Sequence, residues 1–423
     1  MRRRHWTSGF WRRGSVRDGW QRIALRDVLT QVSRPVTVAE LDDVPFAGVR
    51  WYAEGVYARD VVSAHEVKTK TLNRLKAGDI TYNRMWATKA SFGRAGMDVN
   101  GCLVTNDFPI FEVDATRVVG DYIQLIFKNA VFQREAFSRA TGTTERRRLK
   151  ERDFLSIVIN LPPLAEQRRM VDLIGAVDEA IDAADAVADL YQNTSTELAT
   201  NEFSVLTAES MVPLVPLGQL AESRLGKMLS SSTNTGDEYP YLRNADVQWG
   251  TINLRALKTM PLTERDILEY SVLQGDLLVC EGGEVGRCAV VEEDLDGIYF
   301  QKALHRVRCG QRLRARFLQV YLQYLASSAG LDNYTGGSTI PHLTGEKLRT
   351  ILVPVPALEA QDEIVERLGA ARRCAEVASD MAASLRSLRD NLLTALLCGQ
   401  HEIPQTYDRL LVSTGLSDSE VAA

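Results

Sequence analysis

No apolar run in this sequence approaches the roughly 18 residues that a membrane-spanning helix needs, and its beginning lacks the apolar core of a secretory signal. The six cysteines (Cys102, Cys280, Cys288, Cys309, Cys374 and Cys398) form no CxxC pair and have no histidine at ligand spacing. A zinc site is therefore not expected, and unpaired thiols of this kind suit a reducing cytoplasm. A strong charge bias is missing too. With a net charge of −5, the chain is no wholly basic nucleic-acid binder, although local basic patches remain compatible with that total. The first 22 residues are the basic exception, carrying Arg2, Arg3, Arg4, Arg12, Arg13, Arg17 and Arg22. They read as a basic extension, either disordered or an arm that touches phosphate.

Catalytic motifs are equally scarce. The five histidines (His5, His65, His305, His342 and His401) give no HExxH and no triad-like spacing. An amino-methyltransferase would need a DPPY-like loop; "NLPPL" at 160–164 has the prolines, but Leu164 stands where a stacking aromatic belongs. Gly226-Lys227 resembles the end of a phosphate loop, yet Ala221 replaces its first glycine and Met228 its hydroxyl residue. Their joint absence favours a binding protein over an enzyme, and no metal or cofactor is expected in this chain.

What the sequence does contain, it contains twice. "NLPPLAEQRRMVDLI" at 160–174 is echoed by "VPVPALEAQDEIVERL" at 353–368, and Gln167 and Gln361 lie 194 residues apart. The match extends outward in order. "FLSIVINLPP" (154–163) falls over "LRTILVPVPA" (348–357), and "DYIQLIFKNAVFQREAFSRATG" (121–142) over "RFLQVYLQYLASSAGLDNYTGG" (316–337). "LKAGDITYNR" (75–84) falls over "LQGDLLVCEG" (273–282). A period this long exceeds any solenoid repeat, so each copy should be a domain with its own core. Within each copy, β-branched runs punctuated by Gly, Asn and Asp surround one amphipathic helix, near 118–138 and 313–329. That predicts an α+β fold with a mainly antiparallel sheet.

Each copy ends in a long helix, over 161–206 and 356–399. The first carries an apolar stripe of Met170, Ile174, Val177, Ile181, Ala184, Ala188, Tyr191 and Leu198. The second carries Ile364, Leu368, Ala371, Ala375, Ala378, Met381, Leu385, Leu388 and Leu392. Steps of four and three suggest a heptad seam, and neither helix can bury its stripe alone. The simplest arrangement pairs the two helices antiparallel as a spacer of roughly 50 Å, at about 1.5 Å per residue.

Polar loops recur at equivalent places. In the first copy "NRMWATKASFGR" (83–94) and "GTTERRRLKER" (142–152) carry Asn83, Arg84, Lys89, Ser91, Arg94, Thr143, Thr144, Arg146, Arg147 and Arg148. In the second, "CEGGEVGR" (280–287) and "GGSTIPHLTGEK" (336–347) carry Glu281, Glu284, Arg287, Ser338, Thr339, His342 and Lys347. These are the side-chain types that read base edges and hold phosphates. The two sets differ, as expected if the two copies read different bases.

Three segments, "LPPLAEQRRMVDLI…VDEAID" (161–182), "GDLLVCEGGEVGR" (275–287) and "GSTIPHLTGEKLRTILVPVP" (337–356), resemble the specificity subunits of type I restriction–modification systems. The likeness covers about 23–398. It implies target-recognition domains at 23–160 and 213–355, joined by spacer helices at 161–206 and 356–399, with a tail at 400–423. It implies that each domain reads one half of a split, asymmetric site in double-stranded DNA. Two methyltransferase subunits would clasp the chain and carry S-adenosylmethionine; restriction subunits would bring ATP and Mg; this chain would catalyse nothing. Leu164, Glu166, Gln167, Met170, Ile174, Val177, Ile181, Leu358, Gln361, Ile364, Leu368, Met381 and Leu385 would serve the helical spacer and the partner subunits. The competing expectation is a non-enzymatic adaptor that binds proteins at its two globular ends.

Overall fold

The structure is a computed structural model, and it describes residues 17–142, 147–208, 212–229, 235–335 and 341–408. Two compact units divide the chain. Unit 1 comprises 1–183 with 381–423, and unit 2 comprises 184–380. Both divisions fall inside a long helix, Leu164–Ala208 or Leu358–Leu397, so each unit owns part of both helices.

The two units repeat one sheet plan. In unit 1, Gln21–Ala24 pairs antiparallel with Val158–Leu161; in unit 2, Leu214–Pro216 pairs with Leu352–Pro354. A four-stranded antiparallel sheet follows in each. Its order is Leu29–Val32, Ile110–Val113, Ile80–Tyr82, Phe92–Arg94 in unit 1, and Ala221–Leu225, Leu304–Cys309, Leu277–Cys280, Cys288–Val290 in unit 2. The duplication read from the sequence is thus a duplication of topology. A further sheet departs from it: unit 1 has five strands that include the Asp43–Val49/Val56–Ser63 hairpin, and unit 2 has three.

The cores are filled differently. Tyr82, Phe92, Phe111, Phe127, Phe132 and Phe154 pack ring against ring in unit 1, none more than 2% exposed. Unit 2 is aliphatic around Leu277, Val279, Val307 and Leu318, with Phe203 of the first long helix set among Phe317, Tyr321 and Tyr324. The amphipathic helix expected near 118–138 is two helices, Gly120–Lys128 and Ala130–Arg139. Asn129 leaves the helical conformation between them, and its side chain caps the second by accepting from the Val131 N–H.

Within each unit the long helices pair. In unit 1, Met170 and Ile174 share a core with Leu393, Leu396 and Leu397. Asp178 meets Arg389, and Asn160, just before the first helix, donates to the Leu397 carbonyl, so the two run in opposite directions. In unit 2, Phe203 shares a core with Ile364 and Leu368, and Glu202 pairs with Arg367. The helices are therefore parts of the cores and not arms attached to them. The Arg-rich extension also ends earlier than 22. Trp20 is buried, and Arg17 binds Glu166 and Glu402. At the other end, Asp408 of the tail pairs with Arg169.

The stripes need one correction. Tyr191, Leu198, Met381 and Leu388 face solvent, at 37%, 38%, 56% and 53% exposure. Phe203, Ala382 and Leu393 are buried, and Ala199 is half-buried. A straight α-helix lags a strict seven-residue repeat by about 20° per heptad. Four heptads after Met170 or Ile364 the lag is about 80°, nearly one residue's turn. Ala199 then takes the place of Leu198, and Leu393 that of Leu392.

One side chain fastens each globular part to its helix. Gln167, fully buried, accepts from the Val119 N–H at 2.8 Å and donates to the carbonyls of Arg117 (3.1 Å) and Pro162 (2.8 Å). Gln361, equally buried, accepts from the Arg314 N–H at 2.9 Å and donates to those of Arg312 (3.0 Å) and Pro356 (2.9 Å). Val119 and Arg314 each stand immediately before a helix of the globular part, whose N-terminal N–H groups have no internal acceptor. A tyrosine adds a second tie to the strand leading into the prolines. Tyr122 bonds the Asn160 carbonyl and Tyr321, one turn further along its helix, bonds that of Leu352. Replacing Gln361 by leucine keeps the volume but strands three buried backbone groups. Unit 2 should lose roughly 3 kcal/mol of stability, read as a lowered denaturation midpoint, and Gln361→Glu should lose at least as much at neutral pH, because its buried carboxylate would face two carbonyl oxygens.

Candidate nucleic-acid interface

In unit 1 the 83–94 loop is closed on itself. The Asn83 side chain accepts from the Met85 and Trp86 N–H groups, and its own N–H donates to the Ser91 carbonyl at 3.0 Å. Arg84 forms an ion pair with Glu151 and donates to the Asn106 carbonyl. Arg148 pairs with Asp107, whose carbonyl receives the Arg84 N–H. Two segments about 60 residues apart in sequence therefore meet around Asn106 and Asp107. Arg147 lies 5.0 Å over the Phe137 ring, and Lys89 is exposed at the loop's far end.

Two expected contacts are placed elsewhere. Ser91 is 1% exposed and donates its hydroxyl to the Val49 carbonyl, so it holds the loop from beneath and offers no atom to a ligand. Arg94 pairs with Asp121 and borders an open cavity of about 340 Å³ with Arg34, Lys76, Asp79 and Glu112. Charge there is largely balanced, because Arg34 grips both Asp79 and Glu112. Thr143, Thr144 and Arg146 lie outside the described residues, as do Ser338 and Thr339.

Unit 2 gathers its candidates more tightly. Arg287 donates to Glu284 (3.1 Å) and to the Asn244 carbonyl (2.9 Å), while Trp249 donates its indole N–H to Glu284. The Asn244 amide donates to the Gly282 carbonyl at 2.7 Å. His342 lies against Gly282 so closely that a Cβ there would fall 2.7 Å from its Nδ1. Glu281 is half-buried, and its carbonyl accepts from the Leu343 N–H. Lys347 is the third residue of the short helix Gly345–Thr350, its N–H facing the Thr344 hydroxyl. Lys227, the tempting phosphate-loop residue, is occupied by Asp266 at 2.7 Å.

Asn244 and Trp249 escaped the sequence reading, as did Trp51 and Tyr52 of unit 1. The available signal was position: these aromatics stand in turns rather than on an amphipathic stripe. The turn bearing Trp249 rests on the second long helix, where Arg372 donates to the Trp249 carbonyl at 2.7 Å. Glycine suits position 250 because its φ of +71° is one that side chains rarely adopt.

The spacer residues divide by exposure. Met170, Ile174, Ile181, Ile364 and Leu368 are buried, whereas Leu164, Val177, Leu358 and Leu385 are half-buried. Glu166 is tied to Arg17 and to the Trp20 indole. Asp178 sits between Lys128 and Arg389; burial alone would raise its pKa, but the two cations outweigh that and hold it below the usual carboxylate range. Among the described residues no group of three or more His, Cys, Asp or Glu side chains is placed to hold a metal ion.

One scaffold used twice, each time displaying its own polar loop set, defines a recognition protein with two distinct reading surfaces. Its sequence matches the type I restriction modification DNA specificity domain over residues 17–186 and again over 211–379, and the chain belongs to that family. It is a DNA sequence-recognition subunit. Solved structures share the fold. A chain from a study of complex assembly and conformational transition in a type I restriction–modification system aligns with a TM-score of 0.63 at 16% identity, covering 91% of this chain and 99% of its own. The HsdS subunit from Thermoanaerobacter tengcongensis gives 0.53 at 16% identity, with 92% and 99% covered. The type I S subunit from M. genitalium gives 0.53 at 14%, with 91% and 97% covered.

His305 makes unit 2 sensitive to acid. Its buried ring bonds the Leu343 carbonyl at 2.9 Å, anchoring the segment that bears His342, and burial pushes its pKa below 6.5 despite that bond. The unfolded chain binds the proton more readily, so this contribution is complete above about pH 6.5 and fades as the pH falls below it. Lowering the pH from 7.5 to 5.5 should depress the Tm of the wild type more than that of His305→Gln, read by fluorimetry.

Proposed function

We propose that each unit reads one half of a bipartite, asymmetric site in double-stranded DNA, and that this chain performs no chemistry itself. The observation that carries the reading is the contrast between constant and variable parts. Sheet order, glutamine clamp and helix pairing repeat, whereas the loops at 83–94 and 280–287 share little beyond a terminal Gly-Arg. A scaffold held constant around differing polar loops is what two-site reading requires, because base edges are distinguished by donor and acceptor pattern.

In this reading Asn83, Arg84, Lys89, Arg147 and Arg148 present donors on unit 1, and Glu281, Glu284, Arg287 and His342 present mixed groups on unit 2. Two methyltransferase subunits would clasp the helices and carry S-adenosylmethionine, and restriction subunits would add ATP- and Mg-dependent steps in the cytoplasm. No helix among the described residues is long and apolar enough to cross a membrane.

The test maps methylated adenines across a methylation-free host genome that expresses this chain with its methyltransferase partner. Exchanging residues 83–94 for another loop should rewrite one half of the methylated motif and leave the other intact. An exchange that alters both halves or neither removes the assignment of that loop. Adding seven residues to each long helix should widen the unread gap by roughly 10 Å, about three base pairs, visible in the same map.

A further inference from the structure

Residues 50–55, "RWYAEG", make a turn that the backbone would not choose unaided. Tyr52 and Ala53 are adjacent non-glycine residues in the left-handed region, with φ of 59° and 57°. Side chains rarely adopt that conformation, and its cost persists only where the surroundings impose it. Here they do. Ala53 donates to the Ala90 carbonyl at 2.7 Å, its own carbonyl accepts from Gln124 at 2.6 Å, and Arg50 donates to the Gly55 carbonyl at 2.9 Å. Ala90 is itself left-handed, with φ of 52°, and belongs to the 83–94 loop. Two strained turns are therefore bonded to each other, and Ser91 adds its bond to Val49 beside them.

This fixed turn holds apolar surface out in water. Trp51 is 45% exposed and Tyr52 64%, while Ala53 beneath them is fully buried. Trp51 is backed by Trp86 of the 83–94 loop, with ring centroids 5.4 Å apart. Charge around the turn is mixed in sequence: Arg50, Arg59 and Lys89 are exposed, as are Glu54 and Asp60, with Arg50 standing 5.1 Å over the Tyr57 ring. Exposed rings on a fixed turn suit a ligand with flat apolar faces, which is the chemistry of nucleic-acid bases.

We propose that Trp51 and Tyr52, backed by Trp86, form an aromatic wedge that leans into the duplex and stacks on one base of the half-site read by unit 1. This deepens the function proposed above and rests on it. The wedge shares a rigid body with the 83–94 loop, so stacking and base-edge reading would address neighbouring positions. Unit 2 uses its turn differently. Trp249 is anchored to Glu284, so the two half-sites would be read with different mechanics.

Tyr52→Gly separates ring from backbone, because glycine accepts a φ near +59° without strain. The full chain carrying Tyr52→Gly, expressed with the methyltransferase partner in a methylation-free host, should be at least as thermally stable as wild type. It should still copurify with the partner. Its methylated fraction should fall about tenfold, or one position of a single half-site should become degenerate, as loss of one stacked base predicts. Tyr52→Phe and Trp51→Phe should retain the wild-type motif. With purified complex and 2-aminopurine stepped through that half-site, one position should brighten with wild type and stay dark with Tyr52→Gly. An unchanged motif and fraction in Tyr52→Gly overturns the wedge, as does loss of the methyltransferase partner, which would make the turn a protein contact. A wild-type chain that yields no bipartite motif at all instead overturns the function reading beneath it.

Discussion

A carboxamide with no access to water holds each half of this protein to its frame. Gln167 and Gln361, both fully buried, each take one backbone N–H and give to two backbone carbonyls. Few side chains could do this. Glutamate lacks donors, lysine lacks acceptors, and asparagine is a methylene too short for the same reach. The three groups come from the strand end that carries the prolines and from the entry to the helix of the globular part. One residue therefore fixes the angle between a long helix and the module packed upon it. A recognition loop anchored to that module inherits its orientation, and small errors there would displace base-edge contacts by more than a hydrogen bond tolerates.

Because each unit contains part of both long helices, those helix segments belong to its core. Phe203 closes the aliphatic core of unit 2 from the first helix, and Leu396 and Leu397 close the aromatic core of unit 1 from the second. Helix ends would otherwise fray, and burying them in a core prevents that. The loops at 83–94 and 280–287 each send a few residues into the cores, Ala87, Ala90 and Phe92 in unit 1 and Cys280 in unit 2, and carry polar side chains between them. The polar positions between those anchors differ between 83–94 and 280–287 while the sheet plan stays the same.

The sequence made much of this legible, and its failures are instructive. The duplication, the proline-to-glutamine junction and the paired helices followed from spacing, because backbone geometry imposes period and punctuation on any chain. The stripe went astray at Leu198 because a heptad count ignores the lag of a straight helix. Asn129 looked like an ordinary helical position, since its capping role exists only once the chain turns toward Thr394. In the loops, residue type suggested contact, but type cannot say which way a side chain points. Ser91 turned inward to Val49, and Trp249, never singled out, turned toward Glu284.

That same inward bookkeeping of charge bears on how a chain of net charge −5 discriminates among DNA sequences. Arg84, Arg148 and Arg287 are each paired with a carboxylate, Glu151, Asp107 and Glu284 respectively. A guanidinium held this way gains less from a phosphate, because the carboxylate already neutralises it and repels the backbone. Non-specific binding, which scales with the number of phosphates neutralised, is thereby restrained. Yet the guanidinium is already ordered, so binding a base edge of matching geometry demands little further loss of side-chain freedom. In the proposed reading, paired arginines would trade absolute affinity for the ratio between correct and incorrect sites, and that ratio decides occupancy in a genome crowded with competitors. In that reading, the balance between a constant, clamped frame and partly neutralised loops would let an acidic protein read DNA selectively.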